Sequence, residues 1–430
     1  MRDYEKLKLR NQIEQIFQSG NLFHKKIFLW GAGDFSRCIV SELLKKGKKV
    51  EAIIDNDKSK QGAFCAGVPV LSLDDVSGQY GLNDSEICFI ICSDFWKEIV
   101  NQLNLAGAAK EKITILKKEK DSLREKISDA VKGEKIYKNI TEQYGKGKVF
   151  LCPYTGTGDI YLIGSFWEKY IENLKINNYV FIVLSNACKK VASLFEIKNV
   201  VLLEKMIYAK YLIAYYLLKN SSLDMVILND GWRELPYSCT EWLRGYKKLY
   251  FTQLFRDFVF ELPSDAKPQH PELKDMNDSL QELFQKNGLI KGKTVVISPF
   301  SNTLLDLPQN FWSDISKSLL EKGYSVCTNC GCDTEQPIEG TTGICVPLDQ
   351  APQFVNFAGY FIGIRSGFCD IISGCNARKI ILYYKKNRFY NASAYEYFNL
   401  KDMELCEDAL ELEFCMDELC RIKKEILEYL

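Results

Sequence analysis

The sequence predicts an α/β protein built from three successive parallel-sheet regions. Short apolar runs such as KKIFLW, KVFLCPY and TVVIS alternate with helical patterns along most of the chain, the order expected of βαβ units. Two stretches interrupt that alternation, a charged segment before Lys148 and a cluster of Pro263, Pro268 and Pro271, and they divide the chain into thirds. The 430 residues, 47% hydrophobic and 26% charged, describe an ordinary globular protein large enough for several domains.

Taken in order, residues 1–25 read as an amphipathic helix with Leu9, Ile13 and Phe17 at four-residue spacing. From Lys26, KKIFLWGAGDFSRCIVSELLKKGKKVEAIIDND gives strand, Gly turn, helix, strand and an acidic end. VPVLSLDDV, EICFIICS, a helix through DFWKEIVNQLNLAG and the strand KITIL complete a sheet, so residues 26–117 form a Rossmann-like domain. Residues 118–146 are rich in charge, with a helical pattern interrupted by Gly133 and Gly145, and read as a helical linker. A second region, 147–270, carries the turn TGTGD and the strands YVFIVLS, NVVLL and DMVIL. The third, 271–430, carries TVVISPFSN, the helix PQNFWSDISKSLLEKG, the strands YSVCTN, YFIGI and KIILYY, and a C-terminal amphipathic helix. That last helix, Met416 to Leu430, is expected to cross back towards the second region to bury its apolar stripe.

Composition excludes several function classes. Lys+Arg 56 equals Asp+Glu 56, so no global field argues for nucleic acid or an anionic membrane surface. No signal-peptide core and no stretch of about 18 apolar residues occurs, so a cytoplasmic protein without a membrane span is expected, a peripheral membrane contact staying open. The 16 cysteines are scattered and read as buried thiols; the cluster Cys327, Cys330 and Cys332 lacks a fourth ligand for zinc, and no metal site is expected. With His24 and His270 as the only histidines, a His-based hydrolase triad is not supported.

Three turns carry chemistry. Gly31-Ala-Gly33 follows a strand, opens a helix and is answered by Asp55 at the end of the next strand, about the 20-residue interval at which a carboxylate meets a ribose hydroxyl. A Rossmann-like scaffold without a ligand reads equally well. Asp55-Asn-Asp57 also fits a DxD metal motif, less well because of its ribose position. Thr155-Gly-Thr-Gly-Asp159 permits close backbone approach and sets Asp159 at a helix N-terminus, as a helix cap or a base. In FIGIRSGFCDIISGC, Arg365, Ser366 and the N–H groups of a helix start stand at the carboxyl end of a strand, where open α/β sheets bind phosphorylated ligands. Arg365 reads either as a cation for phosphate or as a salt-bridge partner. Lys385, Lys386 and Arg388 read as a solvated loop, and the aromatic runs KLYFTQLFRDFVF and YNASAYEYF as packing.

The stretch LWGAGDFSRCI followed by VEAIIDNDKSKQGAFCAGVPVLSLDDV resembles the nucleotide-binding domain that fronts bacterial sugar-modifying acetyltransferases. The resemblance implies that Gly31, Gly33 and Asp55 meet a nucleotide, a nucleotide sugar or NAD. GTGDIYLIGSFWEKYIENLK, VVISPFSNTLLDLPQNFW and APQFVNFAGYFIGIRSGFCDIISGC, between residues 148 and 425, resemble the lipopolysaccharide heptosyltransferase family. That family has the two-domain GT-B fold, so the resemblance implies an acceptor half at 147–270 and a nucleotide-sugar donor half at 271–430. It further implies that Asp159 is the general base, that Ser366 and Gly367 form the diphosphate turn, and that Ser298, Pro299 and Ser301 line the donor cleft. The family has aspartate before Ser-Gly, a histidine soon after, and a cation between the counterparts of Ser301 and Pro308. This chain has Arg365 and neither of the others. Arg365 is therefore the expected replacement charge.

Together these readings predict a glycosyltransferase that moves a sugar from a nucleotide-sugar donor to a glycan or glycolipid acceptor, with no cofactor or metal needed for transfer. A nucleotide-sugar oxidoreductase or epimerase stays as an alternative, although no YxxxK accompanies the first Gly turn, as does a non-catalytic nucleotide-sugar-binding assembly protein.

Overall fold

The computed structural model describes residues 9–10, 12–14, 16–17, 25–58, 60–82, 84, 86–93, 95–116, 123–145, 147–219, 222–228, 250–301, 307–331, 335–385 and 393–430. The chain divides into two compact units, Met1–Lys126 and Ile127–Leu430. In the first, β1 (Lys26–Trp30), α1 (Asp34–Lys45), β2 (Val50–Ile54), β3 (Phe64–Cys65), β4 (Val68–Leu71), α2 (Leu73–Tyr80), β5 (Ile87–Ile91), α3 (Trp96–Leu105) and β6 (Ile113–Ile115) follow in turn. The sheet order is β3-β4-β2-β1-β5-β6, parallel except for the β3–β4 hairpin. Central β1 is buried on both faces, as an uninterrupted apolar run requires: Ile27 and Leu29 pack with Ile39 and Leu43, while Phe28 and Trp30 pack with Val76, Ile99 and Leu103. Leu9 and Ile13 are helical and join the first of these cores. Ile16 and Phe17 are helical too and pack against it, while residues 1–8, 11, 15 and 18–24 of the expected N-terminal helix lie outside the described residues.

The second unit opens with α4 (Leu123–Tyr144), most of which falls beyond the unit boundary. The helix expected within the linker at 118–146 is present, but unlike a linker it packs on its neighbours. Helix α4 runs unbroken through Gly133, and Ile136, Tyr137, Ile140 and Tyr144 pack on the sheet that follows. Gly133 is required by packing and does not interrupt the helix, because a Cβ there would overlap the backbone oxygen of Tyr211. Asp129, almost fully buried, is held at 2.8 Å by Lys210.

The first half of this unit comprises β7 (Lys148–Leu151), α5 (Thr157–Leu174), β8 (Tyr179–Val183), α6 (Asn186–Leu194), β9 (Val200–Leu202), α7 (Ile207–Lys219) and β10 (Met225–Ile227), all strands parallel in the order β10-β7-β8-β9. A short helix, α8 (Phe251–Leu254), and residues 261–276 without helix or strand then lead to the second half. That half contains α9 (Asp278–Lys286), β11 (Thr294–Ser298), α10 (Gln309–Glu321), β12 (Ser325–Asn329), β13 (Thr342–Ile344), α11 (Ala351–Ala358), β14 (Gly359–Ile364), α12 (Gly367–Ile371), β15 (Arg378–Tyr384), α13 (Ala394–Phe398), β16 (Leu410–Phe414) and α14 (Leu419–Tyr429). Its strand order, β13-β12-β11-β14-β15-β16, is all parallel and reverses direction between β11 and β14, the doubly wound arrangement whose crevice lies at that reversal. The two halves thus carry separate sheets. The C-terminal helix does not cross towards the first half as expected. Ile422 and Ile426 are buried as α14 packs on α10, with Lys423 3.4 Å from Asp314 and the Tyr324 hydroxyl donating to the Leu430 carbonyl at 2.7 Å. The apolar stripe found its surface inside its own half.

Candidate functional site

In the second unit, the loops that follow β7, β11 and β14 supply the predicted residues. Ser298 ends β11 in register with Gly363 of β14, so both strands deliver their next residues to the reversal crevice. Ser298 is buried, and its Oγ accepts from Asn329 Nδ2 at 3.4 Å; Asn329 Oδ1 accepts the Val346 N–H at 3.3 Å. Asn329 was not singled out from the sequence. Its only signal was a polar residue closing the strand YSVCTN. Pro299 is buried, and Ser301 Oγ donates to the Arg365 carbonyl at 3.3 Å, tying the loop after β11 to the turn after β14. The residues that follow, 302–306, lie outside the described residues, as do Cys332, Lys386 and Arg388.

From the first half, the TGTGD turn reaches the same place. Gly156 is the N-cap of α5, without a side-chain cap bond, and Asp159 is the third residue of the first turn, half-buried, its carboxylate folded back over Gly156. Asp159 is therefore not the N-cap residue itself. Gly158 lies against the second half: a Cβ on it would stand 2.6 Å from Asp370 Oδ2 and 3.2 Å from the Gly367 Cα. Reciprocally, a Cβ on Gly367 would meet the Gly158 nitrogen and Thr157 Oγ1 at 2.6 Å. The turns that begin α5 and α12 touch backbone to backbone, and only glycine permits that approach. Helix α5 has 18 residues and a full N-terminal dipole; α12 has five, so its own field is small.

Arg365 does not stand as the free phosphate cation that was expected. It is buried, and all five of its N–H groups are aimed at protein acceptors. Nη1 and Nη2 grip Asp370 at 3.0 and 2.6 Å, Nε donates to the Phe398 carbonyl at 2.8 Å, Nη1 also donates to the Ser366 carbonyl at 2.6 Å, and Nη2 approaches Met403 Sδ at 3.8 Å. A guanidinium so engaged has no donor left for a diphosphate. Burial lifts the Asp370 carboxyl above its ordinary value against the pull of Arg365; on Arg365 burial acts to lower the pKa, and Asp370 together with Tyr383 and Cys369 raises it, so the guanidinium stays charged. Asp370 was missed in sequence because five residues separate it from its partner and nothing in FCDII marks it as an ion-pair member.

A second seam joins the halves beside this one. Ser373 Oγ donates to the Tyr161 hydroxyl at 3.4 Å, and Tyr161 Oη lies 2.9 Å from His270 Nδ1. These come from the end of α12, from α5 and from the connector. The imidazole packs on Gly374, where a Cβ would meet it at 2.6 Å. Partial burial lowers the His270 pKa, Lys379 adds to the effect, and a backbone hydrogen bond at Leu405 opposes it. The Gln269 N–H donates to the Ser165 carbonyl at 2.8 Å, and Lys190 stands 4.0 Å from Asp349.

The first unit brings Gly31, Gly33 and Asp55 together at the reversal between β1 and β5. Gly31 has φ +108°, and a Cβ there would press on the Cys92 carbonyl at 3.2 Å, so both conformation and space demand glycine. Asp55 Oδ2 accepts the Ala32 N–H at 2.7 Å and lies 3.2 Å from Lys60 Nζ; Oδ1 accepts the Asp57 N–H at 2.9 Å. Lys60 also lies 3.9 Å from Asp57, so the DxD pair shares an ammonium ion. Among the described residues no group of three or more His, Cys, Asp or Glu could hold a metal ion, and no helix is long and apolar enough to cross a membrane.

Residues 23–114 match the family model described as C2185-like, N-terminal. No curated protein matches the chain. Among solved structures the chain is similar to the E. coli ADP-heptose lps heptosyltransferase II, at 13% identity and TM-score 0.45, over 65% of this chain and 96% of that one. It is also similar to the E. coli heptosyltransferase WaaC with ADP, at 10% identity and TM-score 0.41, over 66% of this chain and 100% of that one. Over 94% of this chain and 90% of that one, it is similar to the glycosyl transferase family 9 protein from Veillonella parvula DSM 2008, at 11% identity and TM-score 0.34.

Proposed function

We propose that the second unit is a glycosyltransferase that moves a sugar from a nucleotide-sugar donor to a hydroxyl of a glycan or glycolipid acceptor. The observation that carries the reading is the meeting of two glycine turns from two separate parallel sheets, with a carboxylate, Asp159, in the first turn of the helix on one side. Each turn lies at the carboxyl end of a central strand, where such sheets take ligands. Ser298, Pro299, Ser301, Ser366 and Gly367 would line the donor side. Asp159 would draw the proton from the acceptor hydroxyl as the oxygen attacks the anomeric carbon, and the bond from that carbon to the diphosphate oxygen would break. Backbone N–H groups of the opposed turns would meet the charge left on the diphosphate. Arg365 is not assigned that task, since its donors are occupied.

The test is a panel of UDP-, GDP-, ADP- and CMP-sugars, followed by acceptor-dependent release of the free nucleotide, with Asp159→Asn alongside wild type. Asparagine can accept a hydrogen bond in a first helical turn but cannot act as a base. The expected outcome is retained donor binding with transfer lowered by roughly a hundredfold or more. Transfer at the wild-type rate would remove Asp159 from the mechanism, and no binding of any donor would remove the reading itself.

In the first unit, the convergence of Gly31, Gly33 and Asp55 at its own strand reversal supports a nucleotide or NAD as a separate ligand, whose ribose hydroxyl Asp55 would accept beside its bond to the Ala32 N–H. Asp55→Ala should weaken that binding without changing donor affinity in the second unit. Equal weakening at both would refute two independent sites.

A further inference from the structure

The pairing of Arg365 with Asp370 does more than neutralise two buried charges. Asp370 belongs to the second half, yet its Oδ2 is the atom nearest to a Cβ built on Gly158 of the first half, at 2.6 Å. The carboxylate thus lies over the N-terminal turn of an 18-residue helix, one residue from Asp159. An anion there is favoured by the dipole of α5. Arg365 fixes the orientation of that carboxylate by gripping both of its oxygens, and is itself anchored to the Phe398 and Ser366 carbonyls. Ser366 begins the very turn whose Gly367 packs on Gly158 and Thr157. One ion pair therefore touches the turn on each side of the seam.

We infer that Asp370, gripped by Arg365, is a positioning residue that sets the first turn of α5, and with it Asp159, against the Ser366–Gly367 turn of the opposite half. This rests on the glycosyltransferase reading for its consequence in transfer, though not for the contact itself. A carboxylate with both oxygens held by a rigid planar fork is a fixed stop, whereas a free aspartate would swing. Displacing Asp159 by about 1 Å would be enough to lower transfer on the order of a hundredfold.

The test is a double-mutant cycle between Gly158→Ala and the paired replacement Arg365→Met with Asp370→Leu, in the full chain. The paired replacement removes both charges together, so that neither is left buried without its partner. Each protein is examined by hydrogen exchange of the amides at residues 157–160 and by kcat and KM for donor. Faster exchange there in the paired replacement, with kcat reduced at least tenfold and donor KM little changed, supports the inference. So does a Gly158→Ala loss in the paired background that differs from its loss in wild type, because both changes act on the one contact between Gly158 and residue 370. Unchanged exchange, or strictly additive effects of the two changes, overturns it. If wild type shows no transfer at all, the functional reading fails, and exchange and its additivity still decide whether Asp370 positions α5.

Discussion

At the scale of single residues, the chemistry of this chain turns on whether a charged group is free or already engaged. Arg365 is engaged, and removing one member of its pair should show it. Arg365→Met leaves the Asp370 carboxylate buried without its partner and should cost about 3–5 kcal/mol in urea unfolding, whereas the paired replacement with Asp370→Leu should cost far less. Equal costs would mean that the pair contributes only packing. His270 makes a second prediction. Its pKa in the folded state is lowered below the ordinary value of about 6.5, so the folded protein binds fewer protons than the unfolded chain as the pH falls through that value. The neutral ring's contribution is complete above about pH 6.5 and declines as the pH falls towards the lowered folded value. Melting temperature should therefore drop between pH 7 and 5.5 by more in wild type than in His270→Gln. An identical drop in both would assign the pH dependence to other groups.

At the scale of elements, glycines decide which helices approach their neighbours. Gly133 was read as an interruption because glycine in a helix interior is unfavourable on propensity. The contact with the Tyr211 backbone reverses that meaning, since only a residue without Cβ lets α4 dock on α7. Gly133→Ala should push the two helices apart and cost about 1–3 kcal/mol, the usual penalty of overpacking, measured as a lower unfolding midpoint. The C-terminal helix α14 teaches the same lesson from the other side. Its apolar stripe was legible from Ile422 and Ile426, but periodicity names no partner, and α10 offered a surface nearer in the chain.

At the scale of the whole molecule, the two units have separate cores, one around β1 and the other spanning both halves of the second unit. Calorimetry of the full chain should resolve two unfolding transitions, and Gly133→Ala should lower one of them alone. A single transition that shifts as a whole would show that the units unfold together.

Most of the central strands and their helices, the glycine turns at 31–33 and 155–159 and the Ser366–Gly367 turn were legible in the sequence, whereas the strands β13 and β16 were not. Each legible feature is a local signal, set by side-chain periodicity or by the backbone freedom of glycine and proline. What lay beyond reach were the partners. Asp370 for Arg365, Asn329 for Ser298, Tyr161 for His270 and Tyr211 for Gly133 are chosen by packing between elements, across separations that no local pattern encodes. The sequence alone determined that charged and glycine-rich turns would end the central strands; the tertiary structure decided which charges were already satisfied. A buried guanidinium must find acceptors wherever the fold supplies them, and here the fold supplied them all from within.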